Sequence, residues 1–239
     1  MARGGGRGAA HRALLRLASI ISFLASRLAR SPADLIHVHG LKPLRAALAT
    51  GLPVVFTNHT SGFLKTLAGG GRRLARLGAL LSGCAHILAP SEELADASRR
   101  AGYRGPVSYL PNGVDATRFA PGRAPAQRAA WGATDADVVA VIARRLVEKN
   151  GVAVAAEALA HTVPAVRFVF VGEGAERGRI AGILDRDHTG PRALLAGEAP
   201  NTAMPEVYRA ADLALLPSLM EATSIAGLEA MACGLPLVG

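Results

Sequence analysis

The residues best suited to chemistry lie near the end of the sequence. Glu221 and Glu229, with seven residues between them, fall in the run from Pro217 to Gly234. Glu229 sits among Leu228, Ala230, Met231 and Ala232, and a carboxylate in such company is rarely buried without a partner. A ribose diol would be one, with two hydroxyl donors for one carboxylate; the alternative is a side chain snorkelling from the edge of a helix. Thr223 or Ser224 can cap that helix, and the first free backbone N–H groups, at Thr223, Ser224 and Ile225, then suit an anion. Upstream, Arg144, Arg145 and Lys149 follow an apolar strand. Planar guanidinium forks and an ammonium at a strand end make a phosphate clamp, or else a solvated basic turn. Gly172-Glu173-Gly174 follows another strand and serves either a tight turn or the close approach of backbone to a flat ligand. The next glycine, Gly178, lies four residues on rather than three, so a dinucleotide fingerprint is not formed. Neither a Walker-type phosphate loop nor a nucleophile elbow occurs.

These residues need elements to position them, and the sequence supplies an alternation. Apolar strands are predicted over 34–39, 53–57, 86–89 and 107–110, with helices over 41–50, 64–82 (interrupted at Gly69-Gly70-Gly71) and from Ser91 to Gly102. The alternation restarts with strands over 138–143, 166–171, 193–196, 213–216 and 235–238, and helices over 152–161, 178–184, 204–210 and 224–233. Nearly all-apolar strands alternating with helices mean parallel sheets covered on both faces. Between the halves, residues 111–125 hold Pro111, Gly113, Pro121, Gly122 and Pro125 without periodicity, which reads as a linker. The expectation is an α/β protein of two domains: 1–120, then 126–239, joined by 111–125. In open parallel sheets ligands bind beyond the carboxyl ends of the strands, where the residues above fall.

Composition narrows the class. Half of the 239 residues are hydrophobic and 19% are charged, which excludes a disordered chain. The formal charge is +9, from 27 basic and 18 acidic residues. That balance suits anionic partners, but the Arg is scattered, and no interleaved aromatics mark a specific nucleic-acid surface. Cys84 and Cys233 stand far apart, with no Cys/His cluster, so a reducing compartment is expected and neither a disulfide nor a zinc site. Residues 11–30 read as a basic amphipathic helix. It could pack on a sheet or touch an anionic membrane surface. His37 and His39 alternate on one strand and share a face, without metal binding being expected.

The ordered set of motifs resembles the retaining glycosyltransferases of family 4, which have the GT-B fold. The resemblance rests on Pro217-Ser218, Glu221 and Glu229 with Ala230-Met231-Ala232, and on pieces in matching order: His37 and His39; Thr57-Asn58-His59; Pro90-Ser91-Glu92; Pro111-Asn112-Gly113-Val114-Asp115 with Phe119; Arg145 and Lys149; Gly172 and Gly174; Tyr208 and Asp212. It covers roughly 34–239. It implies two Rossmann-like domains facing each other across a cleft, both incomplete here at the outer ends. It implies roles too. Arg145 and Lys149 would neutralise a donor diphosphate and Glu229 would hold the ribose. Glu221 would face the sugar hydroxyls, and Gly172 and Gly174 would lie near the base or diphosphate. The Glu198-Ala199 backbone would approach the base, and His59 would meet the donor sugar. The donor would be UDP- or GDP-linked and the acceptor a carbohydrate or lipid-linked hydroxyl. No cofactor or metal is implied, and a cytoplasmic location is, at the inner face of the plasma membrane if the first helix binds there. Two positions depart from the pattern: Ala222-Thr223-Ser224 replaces Gly-Phe-Gly, and Lys149 falls one residue early. The alternatives are an inactive nucleotide-binding pseudo-transferase or partner subunit, and a nucleotide-sugar epimerase of the same fold.

Overall fold

The structure, a computed structural model, describes residues 33–59, 61–219 and 224–239. The expected helix over 11–30 lies outside the described residues, as do Glu221 and Thr223. The chain forms two compact units, which divide between Pro111 and Asn112.

In the first unit, β1 (Ile36–Val38), β2 (Val54–Thr57), β3 (His86–Ala89) and β4 (Val107–Tyr109) form a parallel sheet in sequential order. The crossovers are α1 (Leu41–Leu48), the pair α2 (Ser61–Gly69) and α3 (Gly71–Leu81), and α4 (Glu92–Arg100). The break expected at the glycine triplet falls at Gly70. Ser91 caps α4 as its position predicts: its Oγ accepts the Leu94 N–H at 3.2 Å, while Glu92 and Glu93 occupy the first turn, where the helix dipole favours them. Val54, Phe56, Ile87, Phe63 and Leu81 form the floor of this core. Cys84 is buried, and that burial pushes its thiol up to about 11, which leaves it unreactive.

The second unit is a five-stranded parallel sheet in the order β7-β6-β5-β8-β9. Its strands are β5 (Val138–Ala143), β6 (Val166–Val171), β7 (Ala193–Gly197), β8 (Leu213–Leu215) and β9 (Leu237–Val238). Its helices are α5 (Pro125–Ala130), α6 (Val152–Ala158), α7 (Arg177–Arg186), α8 (Met204–Arg209) and α9 (Ile225–Ala232). The period of two sorts side chains to opposite faces. Val139, Val141, Val169 and Val171 pack on one side with Tyr208 and Ala230; Ala140, Ile142, Phe168 and Phe170 pack on the other with α6 and α7.

The Pro/Gly-rich segment contributes to the second unit beyond Pro111. Phe119 and Ala124 are buried beside Trp131 and Tyr208, and the Arg209 guanidinium donates to the carbonyls of Ala120 (2.9 Å) and Arg118 (3.3 Å). Asp115 starts this segment with a turn, its Oδ1 accepting from Thr117 Oγ1 at 2.6 Å and Thr117 N at 3.0 Å. Helix α5 is too short to show a period and was not expected. Arg128 fixes it, donating to the Asp137 carbonyl (2.6 Å), the Ala210 carbonyl (3.1 Å) and Asp212 Oδ2 (2.9 Å). The same Asp212 oxygen accepts Val139 N–H at 2.7 Å, so Asp212 joins the starts of β5 and β8.

Candidate functional site

The strand order of the second unit runs outward in both directions from β5, and the loops leaving β5 and β8 diverge there. Such a switch point opens a crevice at the carboxyl end of the sheet. Three loops meet around it and are locked by main chain. Gly172 N donates to the Gly197 carbonyl at 2.7 Å, Leu146 N to the Glu173 carbonyl at 2.9 Å, and Glu176 N to the Leu146 carbonyl at 2.9 Å. Gly172 and Gly174 have φ of 145° and 158°, and a Cβ on them would stand 2.0 Å from the Arg144 carbonyl and 2.2 Å from that of Leu146. Of the two readings open for this pair, contact between loops therefore fixes the residue type. Gly151 does the same against Pro217, whose carbonyl would lie 1.7 Å from its Cβ. Asn150, buried, donates to the Arg145 carbonyl at 2.8 Å and holds the basic loop in shape.

Above this floor lies a cavity of about 550 Å³. Residues singled out from sequence line it: Arg144, Arg145, Gly172, Gly174, Glu198, Ala199 and Glu229. Tyr208 and Ala226 line it as well. Lys149, Ser224 and Ile225 do not. Lys149 is exposed in a tight turn (Glu148–Asn150), where its carbonyl accepts Leu219 N–H at 3.2 Å. Ser224 is the cap, its Oγ accepting Gly227 N–H at 3.2 Å, and Ile225 is exposed; Ala226 is the residue of that first turn that reaches the cavity. Arg144, adjacent to the chosen Arg145, donates to Ser218 Oγ and so ties the loop after β5 to the loop after β8.

Glu229 has the partner its apolar neighbours called for. Tyr208, 1% exposed, donates its hydroxyl to Glu229 Oε2 at 3.2 Å. Burial raises the Glu229 pKa, opposed by the Tyr208 hydrogen bond and by the charge of Arg118. Burial, with Glu229 beside it, raises that of Tyr208. Tyr208 also packs on Phe119, with ring centroids 6.2 Å apart, while Arg118 stands over the Phe119 ring at 4.9 Å. The sequence places Tyr208 in a motif with Asp212 but assigns it no role in the site. The available signal was a tyrosine in an aromatic-poor chain, inside a helix, because a buried phenol needs an acceptor.

The first unit gathers histidines at the carboxyl end of its sheet. The register aligns His37 with Val55 of β2, and His39 and His59 follow at the carboxyl ends of the two neighbouring strands. His39 Nδ1 and His59 Nε2 are 3.0 Å apart, the rings near-parallel with centroids separated by 5.3 Å. His37 and His39 centroids lie 4.1 Å apart, and His37 Nε2 shares a 2.7 Å hydrogen bond with Thr57 Oγ1. Burial, then His39 and His37, lowers the His59 pKa. His86 Nε2 meets Ser108 Oγ at 2.9 Å. Among the described residues no group of three or more His, Cys, Asp or Glu side chains could hold a metal ion.

Two Rossmann-like units, the second with a lined crevice at its switch point, are the architecture of the GT-B glycosyltransferases. The Glycosyltransferase Family 4 description matches residues 4–118 and the Glycosyl transferases group 1 description matches residues 124–239, so the chain belongs to the family 4, group 1 glycosyltransferases. It is similar to the D-inositol 3-phosphate glycosyltransferase of Segniliparus rotundus, 30% identical over 204 residues, which are 79% of this chain and 45% of that protein. Among solved structures it is similar to the sucrose-phosphate synthase of Thermosynechococcus elongatus (TM-score 0.80, 22% identity, 93% of this chain and 61% of that one). It is also similar to Anabaena HepE in complex with UDP-glucose (TM-score 0.75, 20% identity, 92% and 62%). The chain thus spans less than two thirds of each.

Proposed function

We propose that this chain belongs to an enzyme that transfers a sugar from a nucleoside-diphosphate sugar to a hydroxyl acceptor with retention at the anomeric carbon, and that the cavity of the second unit is its donor site. One observation carries this reading: a single cavity brings together Arg144 and Arg145 on the loop after β5 and the half-buried carboxylate of Glu229 on helix α9. Breaking a glycosyl–diphosphate bond places negative charge on the leaving group. Fixed cations and the amides at the start of α9, aimed where that charge develops, stabilise it without a metal. Glu229 accepts from the ribose hydroxyls, Lys149 adds long-range positive charge, and Glu221 and His59 serve the sugar. Support comes from HepE, whose structure was solved in complex with UDP-glucose, and from the glycosyl transfer for which the Segniliparus relative is named.

The test is calorimetry with UDP, GDP and ADP on the wild-type chain and on Glu229→Ala. Loss of a charged acceptor should weaken nucleotide binding by about tenfold to a hundredfold. Glu221→Ala should leave free-nucleotide affinity nearly intact and cost sugar recognition. Equal losses for both variants would refute that division. Binding unaffected by a chelator, and a product with the donor's anomeric configuration by NMR, are expected.

The basic segment over 11–30 would bring the enzyme to anionic membrane, where a lipid-linked acceptor is met. Each Arg there contributes on the order of 1 kcal/mol. Vesicle flotation should be salt-sensitive and confined to anionic lipid. No helix among the described residues is long and apolar enough to cross a membrane.

A further inference from the structure

A second hollow of about 470 Å³ lies beside the first, and both are lined by Val171, Glu198 and Ala199. Trp131, Gln127 and Ala203 line the second alone. The wall between them is the end of β6 at Val171 and, beyond it, the short segment Glu198–Ala199, continued by Pro200 on the side of the second hollow. Its ends are fixed. Gly197, where the β6–β7 register shifts, accepts the 2.7 Å bond from Gly172 N. At the other end the Pro200 carbonyl accepts Ala203 N–H at 2.8 Å, and the Arg118 guanidinium donates to the Asn201 carbonyl. Among the described residues β7 is the edge of the sheet, and no further strand braces this wall from behind. What stands behind it is the second hollow, floored by buried Trp131 and by Val207.

We propose that the Glu198–Pro200 segment is a yielding partition, and that Gln127, Trp131 and Ala203 behind it decide which nucleobase the donor cavity admits. The inference rests on the donor-site reading above. With the diphosphate at Arg144 and Arg145 and the ribose at Glu229, the remaining wall, Glu198–Ala199, is left for the base. A purine carries one ring more than a pyrimidine. The extra ring fits if the wall moves toward the second hollow, and the fixed floor of Gly172 and Gly174 offers no such movement. Side chains that fill the second hollow hold the wall forward and select the smaller base.

The experiment titrates the chain with UDP, GDP and ADP. Ala203→Leu and, independently, Gln127→Phe fill the hollow from different elements; Ala203→Ser is the size-matched control. Both filling variants should weaken GDP and ADP relative to UDP by about tenfold, the discrimination that a misfit of a methylene or more gives. The control should leave the ratio unchanged. Equal weakening of all three nucleotides, an unchanged ratio, or wild-type binding confined to UDP overturns the partition while the donor site stands. If no nucleotide binds the wild type at millimolar concentration, the donor-site reading falls, and the partition with it.

Discussion

The carboxyl ends of the two sheets are built differently. In the second unit the loops after β5, β6 and β8 interlock through carbonyls and glycines, and the functional groups stand on that floor. In the first unit the corresponding end is a row of side chains, Thr57, His37, His39 and His59, held to one another by ring contacts and single hydrogen bonds. Gly40, just after β1, has open space around an added Cβ, whereas Gly172, just after β6, has a carbonyl 2.0 Å away. Main-chain contacts leave no room for adjustment; side-chain contacts can be rebuilt. The second unit's end is therefore fixed by main chain, and the first unit's is set by contacts between side chains.

Substitution at the two glycines should break the comparison most visibly. Gly172→Ala must displace the Arg144 carbonyl as well as adopt a disfavoured φ, and should cost about 2–4 kcal/mol by thermal or urea unfolding. Gly40→Ala carries only the conformational cost, about 1 kcal/mol. Equal costs would mean that the interlock adds nothing.

Removing Arg128 tests the anchoring of α5 and the start of β5. Arg128→Ala should lower unfolding free energy by about 1.5–3 kcal/mol through lost charge-assisted hydrogen bonds, and leave the first unit's histidine resonances in place.

A smaller effect lies within the cavity of the second unit. Tyr208→Phe removes the donor that helps keep Glu229 ionised, so the Glu229 pKa should rise further. Nucleotide binding that needs the carboxylate weakens as pH falls through that raised pKa, and in Tyr208→Phe the weakening should begin at higher pH. Calorimetry between pH 4 and 8, on a scale set by the ordinary glutamate value of about 4.3, reads this directly. Coincident profiles would detach Tyr208 from Glu229.

The smallest expected effect lies in the first unit. His59 is lowered by burial first and by His39 and His37 next. The unfolded chain therefore binds a proton more readily than the folded one. Stability is retained above the ordinary histidine value of about 6.5 and declines as pH falls below it. His39→Gln removes a neighbouring charge while keeping a hydrogen-bonding group, so the His59 resonance should titrate at higher pH and the acid-side loss should shrink. An unmoved His59 titration would sever the pair.

Much of this was legible because the period of two and the alternation of strand and helix are strong signals. The strands from β5 to β8 fall where their apolar runs predict, and Ser91 and Ser224 cap the helices they precede. Glu229 was legible as a carboxylate in want of a partner, yet the partner, Tyr208, comes from a different helix, and no local pattern links positions 21 residues apart. Lys149 was chosen from the cations and the motif after β5, and Ile225 from the start of the helix that Ser224 caps; neither lines the cavity, where Arg145 and Ala226 do, because side-chain placement within a turn or a first helical turn is not written in local sequence. Helix α5 has six residues, fewer than two turns, and was hidden by the Pro/Gly character of what precedes it. The glycines were legible as a turn, but whether ligand or protein required them depends on which carbonyl lies above each missing Cβ.

The glycine floor also has a bearing on engineering. Because Gly151, Gly172 and Gly174 press against main chain, whatever ligand occupies the cavity, randomising them would mostly yield chains that fail to fold. The positions open to redesign are the ones that project from that platform, such as Arg145, Glu198 and Ala226. A library confined to them would explore new donors on an unaltered chassis, so the part of the cavity that looks most characteristic of its chemistry is the part with the least freedom to change it.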